Sequence, residues 1–335
     1  MAEKIKRKKK LFIFLTVLAV LISAYIIILL SPKQQSYKYE NPFMKKESSP
    51  LVFAHRGGAD EFPENTLEAY YHSTSICPNA VLETDVRLTK DGVLILLHDS
   101  TLDSTCNVTG NIEDFNYLDL INNKIDFGYD NDTEDGRIIG ELTPFTDKNG
   151  KRKKPTDVKY PDGIAARDSE VFLATTFEEL LTAFPDNLIS VEIKDEERPL
   201  ETLHELIRII DRHDAYDRVL VASFIRAVEK ECRKMVKDGR ASDRLMYTVS
   251  LGNSVGFIAL SALGLDSLYF SGAAAIHFPM EEFGFNLAKD RLVKSANEHN
   301  IAIHYFTIDD KEEIDTLTNI GADGIMTDNP SLFAN

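Results

Sequence analysis

Phe53-Ala54-His55-Arg56-Gly57-Gly58 opens, and Leu97-His98-Asp99 closes, the stretch on which the reading of this chain turns. Between them lie Pro63-Glu64-Asn65-Thr66, Glu83-Thr84-Asp85 and Thr89-Lys90-Asp91-Gly92. The apolar run Leu51 to Ala54 delivers a His-Arg pair into a double glycine, a strand ending in a turn where backbone approaches something closely. In the run Val81 to Leu88, Glu83 and Asp85 stand two residues apart, so both carboxylates leave the same face. A third run, Val93 to Leu97, delivers His98. Two histidines and two acids thus reach strand ends within residues 55–98, which is the pattern of a site.

Outward from that stretch the chain alternates strand and helix. Short apolar runs at Leu51–Ala54, Val81–Val86, Leu188–Ile193, Val219–Ala222, Leu245–Val249, Ser267–Phe270, Ile301–Phe306 and Gly324–Met326 count eight strands. Between them fall helical faces. Asn65 reads as an N-cap with Glu68 three residues on, Thr176 and Glu179 form a capping box, and Leu203, Leu206, Ile207 and Ile210 mark another helix. Ile225, Val228, Cys232 and Met235 mark the next, and Ile314, Leu317 and Ile320 a late one ending at Gly321. Eight βα steps predict a closed α/β (β/α)8 TIM barrel, whose sites sit at the C-terminal strand ends. Val93–Leu97 follows an Asp-Gly turn signal and reads either as a hairpin extension or as a ninth barrel strand. Residues 100–175 break the rhythm, with an acidic run at 130–135 and a basic one at 151–154, and a segment that long without regular patterning marks either a misassigned element or a functional lid.

The chemistry follows from where these side chains fall. Glu83 and Asp85 sit among Val81, Leu82, Val86 and Leu88, and parallel barrel strands are buried on both faces. Buried carboxylates need a partner. A divalent cation supplies one, and Glu192, between Val191 and Ile193, adds a third oxygen ligand. All-oxygen coordination suits Mg²⁺ or Ca²⁺ better than Zn²⁺. Imidazole titrates near neutrality, so His55 and His98, each closing a strand at the same face, can exchange protons with a nucleophile and a leaving alkoxide. Arg56 and Lys194 are the cations nearest those groups, fit to hold an anion. Of the other histidines, His72, His204, His213 and His299 read as helical or helix-end residues, His304 as core, and His277 as a neighbour of the site.

The ordered set H-R-G-G, P-E-N-T, E-x-D, T-K-D-G and H-D, followed by Val191-Glu192-Ile193-Lys194, Phe306-Thr307-Ile308 and Gly321 to Pro330, resembles the glycerophosphodiester phosphodiesterase family from about residue 50 to the C-terminus. The resemblance implies a phosphoric diester hydrolase that releases an alcohol and glycerol 3-phosphate. It implies metal ligation by Glu83, Asp85 and Glu192, acid–base catalysis by His55 and His98, and a lid in the insertion after the H-D motif. Related enzymes often carry Trp before Thr-Val where this chain has Phe306, and the chain contains no Trp; Phe306 can form an apolar wall but offers no indole N–H. Two alternatives stay open at this point: a similar barrel acting on lysophospholipids, sphingolipids or teichoic-acid-type polymers, and an inactive barrel kept as a membrane-tethered binding module.

The rest of the 335 residues sets location and partners. A net charge of −16 argues against binding nucleic acid through phosphate contacts. Cys77, Cys106 and Cys232 are odd in number and scattered, so they read as free thiols or buried apolar residues. Lys4, Lys6, Arg7, Lys8, Lys9 and Lys10 form a basic tail at 1–10, directly before the uncharged run Leu11–Leu30. At ~1.5 Å per residue, twenty residues span roughly 30 Å of hydrocarbon. A cleaved signal peptide competes with this reading, but the run is longer than the usual apolar region and offers no small-residue cleavage site. The expectation is a single-pass anchor at 11–30 with its N-terminus cytoplasmic, a stalk at 31–48 and an extracellular catalytic barrel at 49–335.

Overall fold

Parallel strands buried on both faces organise the protein, and the residues that make them are the apolar runs of the sequence. The computed structural model describes residues 2–131, 133–134, 137–282 and 284–334. The chain begins with helix α1 (Ala2–Leu30), then enters the barrel through β1 (Leu51–Ala54), α2 (Leu67–Ile76), β2 (Val81–Leu88) and β3 (Leu94–Leu96). Residues of the insertion form α3 (Tyr117–Asn122) and a small hairpin, β4 (Thr133–Glu134) and β5 (Arg137–Ile138). There follow α4 (Phe177–Ala183), β6 (Ile189–Ile193), α5 (Pro199–Arg212), β7 (Val219–Ala222), α6 (Arg226–Lys237), β8 (Met246–Tyr247) and α7 (Leu251–Leu263). Last come β9 (Ala275–Phe278), the hairpin β10 (Glu281–Glu282) and β11 (Phe285–Asn286), α8 (Asp290–Glu298), β12 (Ala302–Tyr305), α9 (Lys311–Asn319) and β13 (Gly324–Thr327).

Eight strands pair in parallel in the order β8-β7-β6-β2-β1-β13-β12-β9. The two ends of that sheet meet at the Thr248–Ala275 bridge, where the Ala274 N–H donates to the Tyr247 carbonyl at 2.9 Å and the Val249 N–H to the Ala275 carbonyl at 3.0 Å. The result is a (β/α)8 barrel. β3 lies off this path, antiparallel to β2 with Val86 opposite Leu96, so Val93–Leu97 is a hairpin extension and not a barrel strand.

One strand is misplaced by sequence reading. Ser267–Phe270 is not a strand: Asp266–Leu268 is a 3-10 turn, with Leu268 and Phe270 exposed. The sixth barrel strand is instead β9, Ala275–Phe278, every residue of which is buried. Leu268, Tyr269 and Phe270 in the first segment imitate a strand. Ala273, Ala274 and Ala275, which lead into the second, are poor strand formers whose burial comes from packing in a tight barrel. A second correction concerns Asn65. It has a left-handed backbone, φ 56°, and the N-cap of α2 is Thr66, whose side chain accepts from the Ala69 N–H at 3.3 Å. The Thr176–Glu179 capping box is present as read.

The N-terminal ends of the strands form the floor of the barrel, and residues 36–43 lie across it. Tyr37, Phe43, Phe53, Val81, Leu220, Met246, Ala275 and Met326 make one buried cluster. The Ser36 N–H donates to the His299 carbonyl at 2.8 Å, and Asn41 Nδ2 donates to the Ala274 carbonyl at 2.7 Å. The segment read as a stalk thus has part of its length packed under the barrel. The insertion is likewise folded: Leu102, Cys106, Ile112, Leu120, Ile125, Phe127 and Phe172 join the main core. All three cysteines are free.

His304 belongs to the floor, as expected of a core histidine. It is fully buried, and its Nε2–H donates to the Phe43 carbonyl at 2.9 Å. Burial lowers its pKa from 6.5 to about 4, the Phe43 hydrogen bond opposing the shift. The unfolded chain therefore takes up a proton first as pH falls. The stability His304 contributes is complete above about pH 6.5 and is lost as pH falls toward 4, roughly 3 kcal/mol in all. His304→Gln keeps a donor for Phe43 and removes the titration. Denaturant unfolding at pH 7 and pH 4 should show the wild type losing about 3 kcal/mol more than this variant; equal losses would mean that His304 is not held neutral.

Candidate active site

At the C-terminal ends of β1, β2 and β6 three carboxylates converge. β2 pairs with β6 so that Asp85 stands opposite Glu192, and Glu83 lies two residues before Asp85 on the same face. One ligand oxygen from each of Glu83, Asp85 and Glu192 can be chosen so that all lie within 4.8 Å of one another. Glu83 and Asp85 are buried. Burial raises the pKa of Glu83 to about 8, Asp85 and Glu192 adding to the shift and His55 opposing it. Glu192 is also raised, by burial first, with Lys194 opposing and Asp85 reinforcing. Three acids in so small a volume call for positive charge.

Two cations face them. Arg56 places Nε 3.2 Å from Asp85 Oδ2 and donates from Nη1 to Glu64 Oε2 at 2.7 Å. Lys194 Nζ lies 3.0 Å from Glu192 Oε1 and 3.8 Å from Asp85 Oδ1. Arg56 and Lys194 thus answer Asp85 and Glu192, while Glu83 is met by the Arg56 backbone N–H at 2.9 Å and by His55 Nε2 at 4.0 Å. The donor set is all oxygen. A hard divalent cation fits it.

The turn after β1 explains why this charge is aimed so closely. His55–Gly57 forms one 3-10 turn in which Arg56 takes a left-handed conformation, φ 50°. Gly57 and Gly58 follow at φ 88° and 94°. A Cβ on Gly57 would come within 2.7 Å of Ala69 Cβ, and one on Gly58 within 2.8 Å of Pro330 Cδ. The double glycine is what lets this turn nest between α2 and the C-terminal segment.

Both histidines are held by carboxylates. His55 Nδ1 lies 2.6 Å from Asp328 Oδ1, and His98 Nδ1 lies 2.7 Å from Asp99 Oδ1. In each, the Nδ1–H donates to the acid and Nε2 is left for chemistry. Burial acts to lower the pKa of His55, but Glu83 and Asp328 outweigh it and raise it to about 9. Asp99 is held well below the usual carboxylate range, chiefly by its hydrogen bond from His98, with burial opposing and Ser104 assisting. His55 neighbours the Glu83 end of the triad, and His98 follows Leu97, whose N–H donates to the Asp85 carbonyl at 3.0 Å.

The structure therefore brings together Glu83, Asp85, Glu192, Arg56, Lys194 and His55, with His98 on the adjoining strand end. Phe306, the residue after β12, packs on Phe224, the ring centroids 5.8 Å apart, as an apolar wall. His277 lies buried inside the barrel with its ring 5.2 Å from that of His304.

Four residues gain roles that sequence reading did not give them. Asp328 and Asp99 orient the histidines, and Glu64 holds Arg56. Asn65 accepts at Oδ1 from Thr84 Oγ1 at 2.9 Å and from Tyr70 Oη at 3.2 Å, while its Nδ2 donates to Asp85 Oδ2 at 3.3 Å. Glu64 and Asn65 lie in Pro-Glu-Asn-Thr, Asp99 in His-Asp and Asp328 in the stretch Gly321 to Pro330, the motifs that carry the family resemblance.

Comparison with known proteins agrees with this geometry. The model of the Glycerophosphoryl diester phosphodiesterase family matches residues 55–332. A glycerophosphodiester phosphodiesterase of Caldanaerobacter subterraneus subsp. tengcongensis is 27% identical over 286 residues, covering 85% of this chain and 96% of the relative. A lysophospholipase D of Mus musculus is 23% identical over 299 residues, covering 83% and 79%. Among solved structures, an Oleispira antarctica phosphodiesterase in complex with the product sn-glycerol-3-phosphate superposes with a TM-score of 0.59 at 20% identity, covering 89% of this chain and 97% of that one. With the match running from the first catalytic-face histidine to the last turn of the barrel, the chain belongs to the glycerophosphoryl diester phosphodiesterase family of phosphoric diester hydrolases.

Proposed function

We propose that this protein is a membrane-anchored, metal-dependent glycerophosphodiester phosphodiesterase that converts a glycerophosphodiester to an alcohol and glycerol 3-phosphate. The observation that carries the reading is the pair of histidines, each fixed at Nδ1 by its own carboxylate, on the strand ends that also carry one acidic triad. Support for the product comes from the Oleispira antarctica neighbour, which holds sn-glycerol-3-phosphate on the same fold.

Glu83, Asp85 and Glu192 would hold the cation, Mg²⁺ or Ca²⁺. Such an ion supplies Lewis-acid stabilisation of a phosphoryl oxygen and a lower pKa for an oxygen nucleophile. The protein's own groups do the rest. Arg56 and Lys194 neutralise the diester and the charge that develops on its equatorial oxygens. One imidazole Nε2 takes the proton of the attacking hydroxyl as the new P–O bond forms; water as nucleophile gives glycerol 3-phosphate directly, while a substrate hydroxyl gives a cyclic phosphate that water opens in a second step. The other gives its proton to the departing alkoxide as the old P–O bond breaks. Asp328 and Asp99 keep each ring in the tautomer and orientation that leave Nε2 facing the substrate.

Location belongs to the same proposal. Within α1, Lys6–Leu30 is long and apolar enough to cross a membrane and buries none of its most apolar stretch against the rest of the protein. With the basic tail at 1–10 held in the cytoplasm, residues 11–30 span the bilayer, 31–48 connect, and the catalytic domain at 49–335 lies outside. A second reading, action on lysophospholipids, is favoured by the Phe224–Phe306 wall and by the mouse relative.

Removal of the metal ligands gives the first test. Glu83→Ala, Asp85→Ala and Glu192→Ala should each lose affinity for Mg²⁺ and Ca²⁺ and lose activity together, and pairs of these changes should cost little more than one. Isothermal titration that finds wild-type affinity in any one of them removes that residue from the ligand set.

The histidine pair gives the second. His55→Ala and His98→Ala should each lower kcat by about 10²–10⁴-fold, with less effect on KM and little further loss in the double variant. A p-nitrophenyl diester needs no proton on departure, so it should restore the variant that lacks the acid and leave the other slow. Near wild-type turnover of both single variants on glycerophosphocholine would make the pair structural.

A further inference from the structure

The anchor joins the barrel at the end opposite the chemistry. Tyr25 Oη donates to the Leu263 carbonyl at 2.8 Å, and Ser267 Oγ donates to the Ile28 carbonyl at 2.7 Å. Lys33, just past the anchor, pairs with the buried Asp266 and lies 2.9 Å from Glu298 at the end of α8. From there residues 36–43 cross the floor, against Ala274, His299 and Asn300, all of which precede the first residue of a strand. Glu83, Asp85 and Glu192 lie in β2 and β6 beyond the level of Ala54, the last residue of β1, and His55 and His98 lie in the turns that follow β1 and β3. About four residues of strand, roughly 13 Å, separate the two levels.

The surface beside the anchor differs in character from the rest of this acidic molecule. From Ser250 to Pro279 the sole charged side chain is Asp266, and it is buried against Lys33 and Ser295. Leu263, Leu268 and Phe270 are 60%, 59% and 48% exposed. Leu263 is the residue whose carbonyl Tyr25 contacts, Leu268 follows Ser267, which contacts Ile28, and Phe270 comes two residues on. An exposed apolar patch of this kind, bordered by the exposed Arg291 of α8 beside Gly264 and Tyr25, is a recognition surface. Here it flanks the last turns of a membrane-spanning helix, so its occupant is the bilayer that helix enters.

We infer that Leu263, Leu268 and Phe270 seat the barrel floor-down on its own membrane, so that the catalytic mouth faces away and takes water-soluble phosphodiesters in preference to lipids of that bilayer. The inference rests on the proposed anchor and site. Lys33 and the floor segment hold the domain close, so it does not swing on a loose tether. A lysolipid in the same leaflet would have to leave the membrane and pass the height of the barrel before its phosphate reached Arg56 and Lys194. A glycerophosphodiester in solution meets the mouth directly.

The absence of Trp makes the seating measurable in the full-length protein. Leu268→Trp, Phe270→Trp, Leu18→Trp within the anchor and Leu118→Trp on α3, at the catalytic end, each introduce one fluorophore. In nanodiscs of brominated against ordinary phosphatidylcholine, the variants at 18, 268 and 270 should lose at least half of their emission, and that at 118 none. Quenching at 18 without quenching at 268 and 270, or quenching at 118, overturns the seating while the anchor stands; no quenching at 18 removes both.

The substrate half is tested by initial rates on glycerophosphocholine, on monomeric hexanoyl lysophosphatidylcholine, and on a long-chain lysophosphatidylcholine embedded in the same nanodisc. The embedded lipid should be cleaved at least 10-fold more slowly than the short-chain monomer. Equal rates overturn the inference. If none of the three is cleaved although the quenching pattern holds, the phosphodiesterase reading and its substrate preference fail and the seating survives.

Discussion

Three carboxylates crowded into a buried space are the constraint around which the catalytic end of this protein is arranged. Two like charges about 4.8 Å apart repel by roughly 3–4 kcal/mol at the effective dielectric of a protein site. Glu83, Asp85 and Glu192 therefore exist together only because other groups answer them. The Arg56 backbone N–H and guanidinium, the Lys194 ammonium and the Asn65 amide all point inward. The left-handed Arg56 and the two glycines after it give the turn the shape that delivers both the His55 ring and the Arg56 backbone to the triad. The strain of that turn is thus tied to the charge it serves.

The division between the two ends of the barrel follows from the same economy. Polar and charged side chains collect at the C-terminal strand ends, while the floor is closed by Phe43, Phe53 and Met326 and by a neutral His304. Gly324 begins β13 because a Cβ there would come within 2.3 Å of the Phe53 ring, so the floor is packed to contact. A tight floor holds β1, β2 and β6 in register, and register is what puts Asp85 beside Glu192. The side of the molecule that meets α1 is therefore the side opposite the acidic triad.

Much of this was legible because strand-end histidines and an E-x-D spacing have few physical readings once the strands around them are apolar. Seven of the eight barrel strands lie where apolar runs of Val, Ile, Leu and Phe place them. The eighth escaped because Ala273, Ala274 and Ala275 carry little strand preference; their burial comes from the barrel's closure, which is not a local property. Asn65 reads as a cap because Asn is a good cap, and only tertiary structure shows that its amide is needed by Asp85, so Thr66 takes the cap instead. Asp328 meets His55 across 273 residues of chain, a distance over which no periodicity carries information. The packing of residues 36–43 under the barrel was hidden by a polar composition in which Tyr37 and Phe43 supply the anchoring contacts.

The proposed function requires one cation shared by three carboxylates. The direct measurement is anomalous diffraction from crystals grown with Mn²⁺, a divalent ion that accepts the same oxygen ligands. One strong peak within about 2.0–2.6 Å of an oxygen from each of Glu83, Asp85 and Glu192 is the predicted result. A triad with no peak, its oxygens taken up by Arg56 and Lys194 alone, would contradict it.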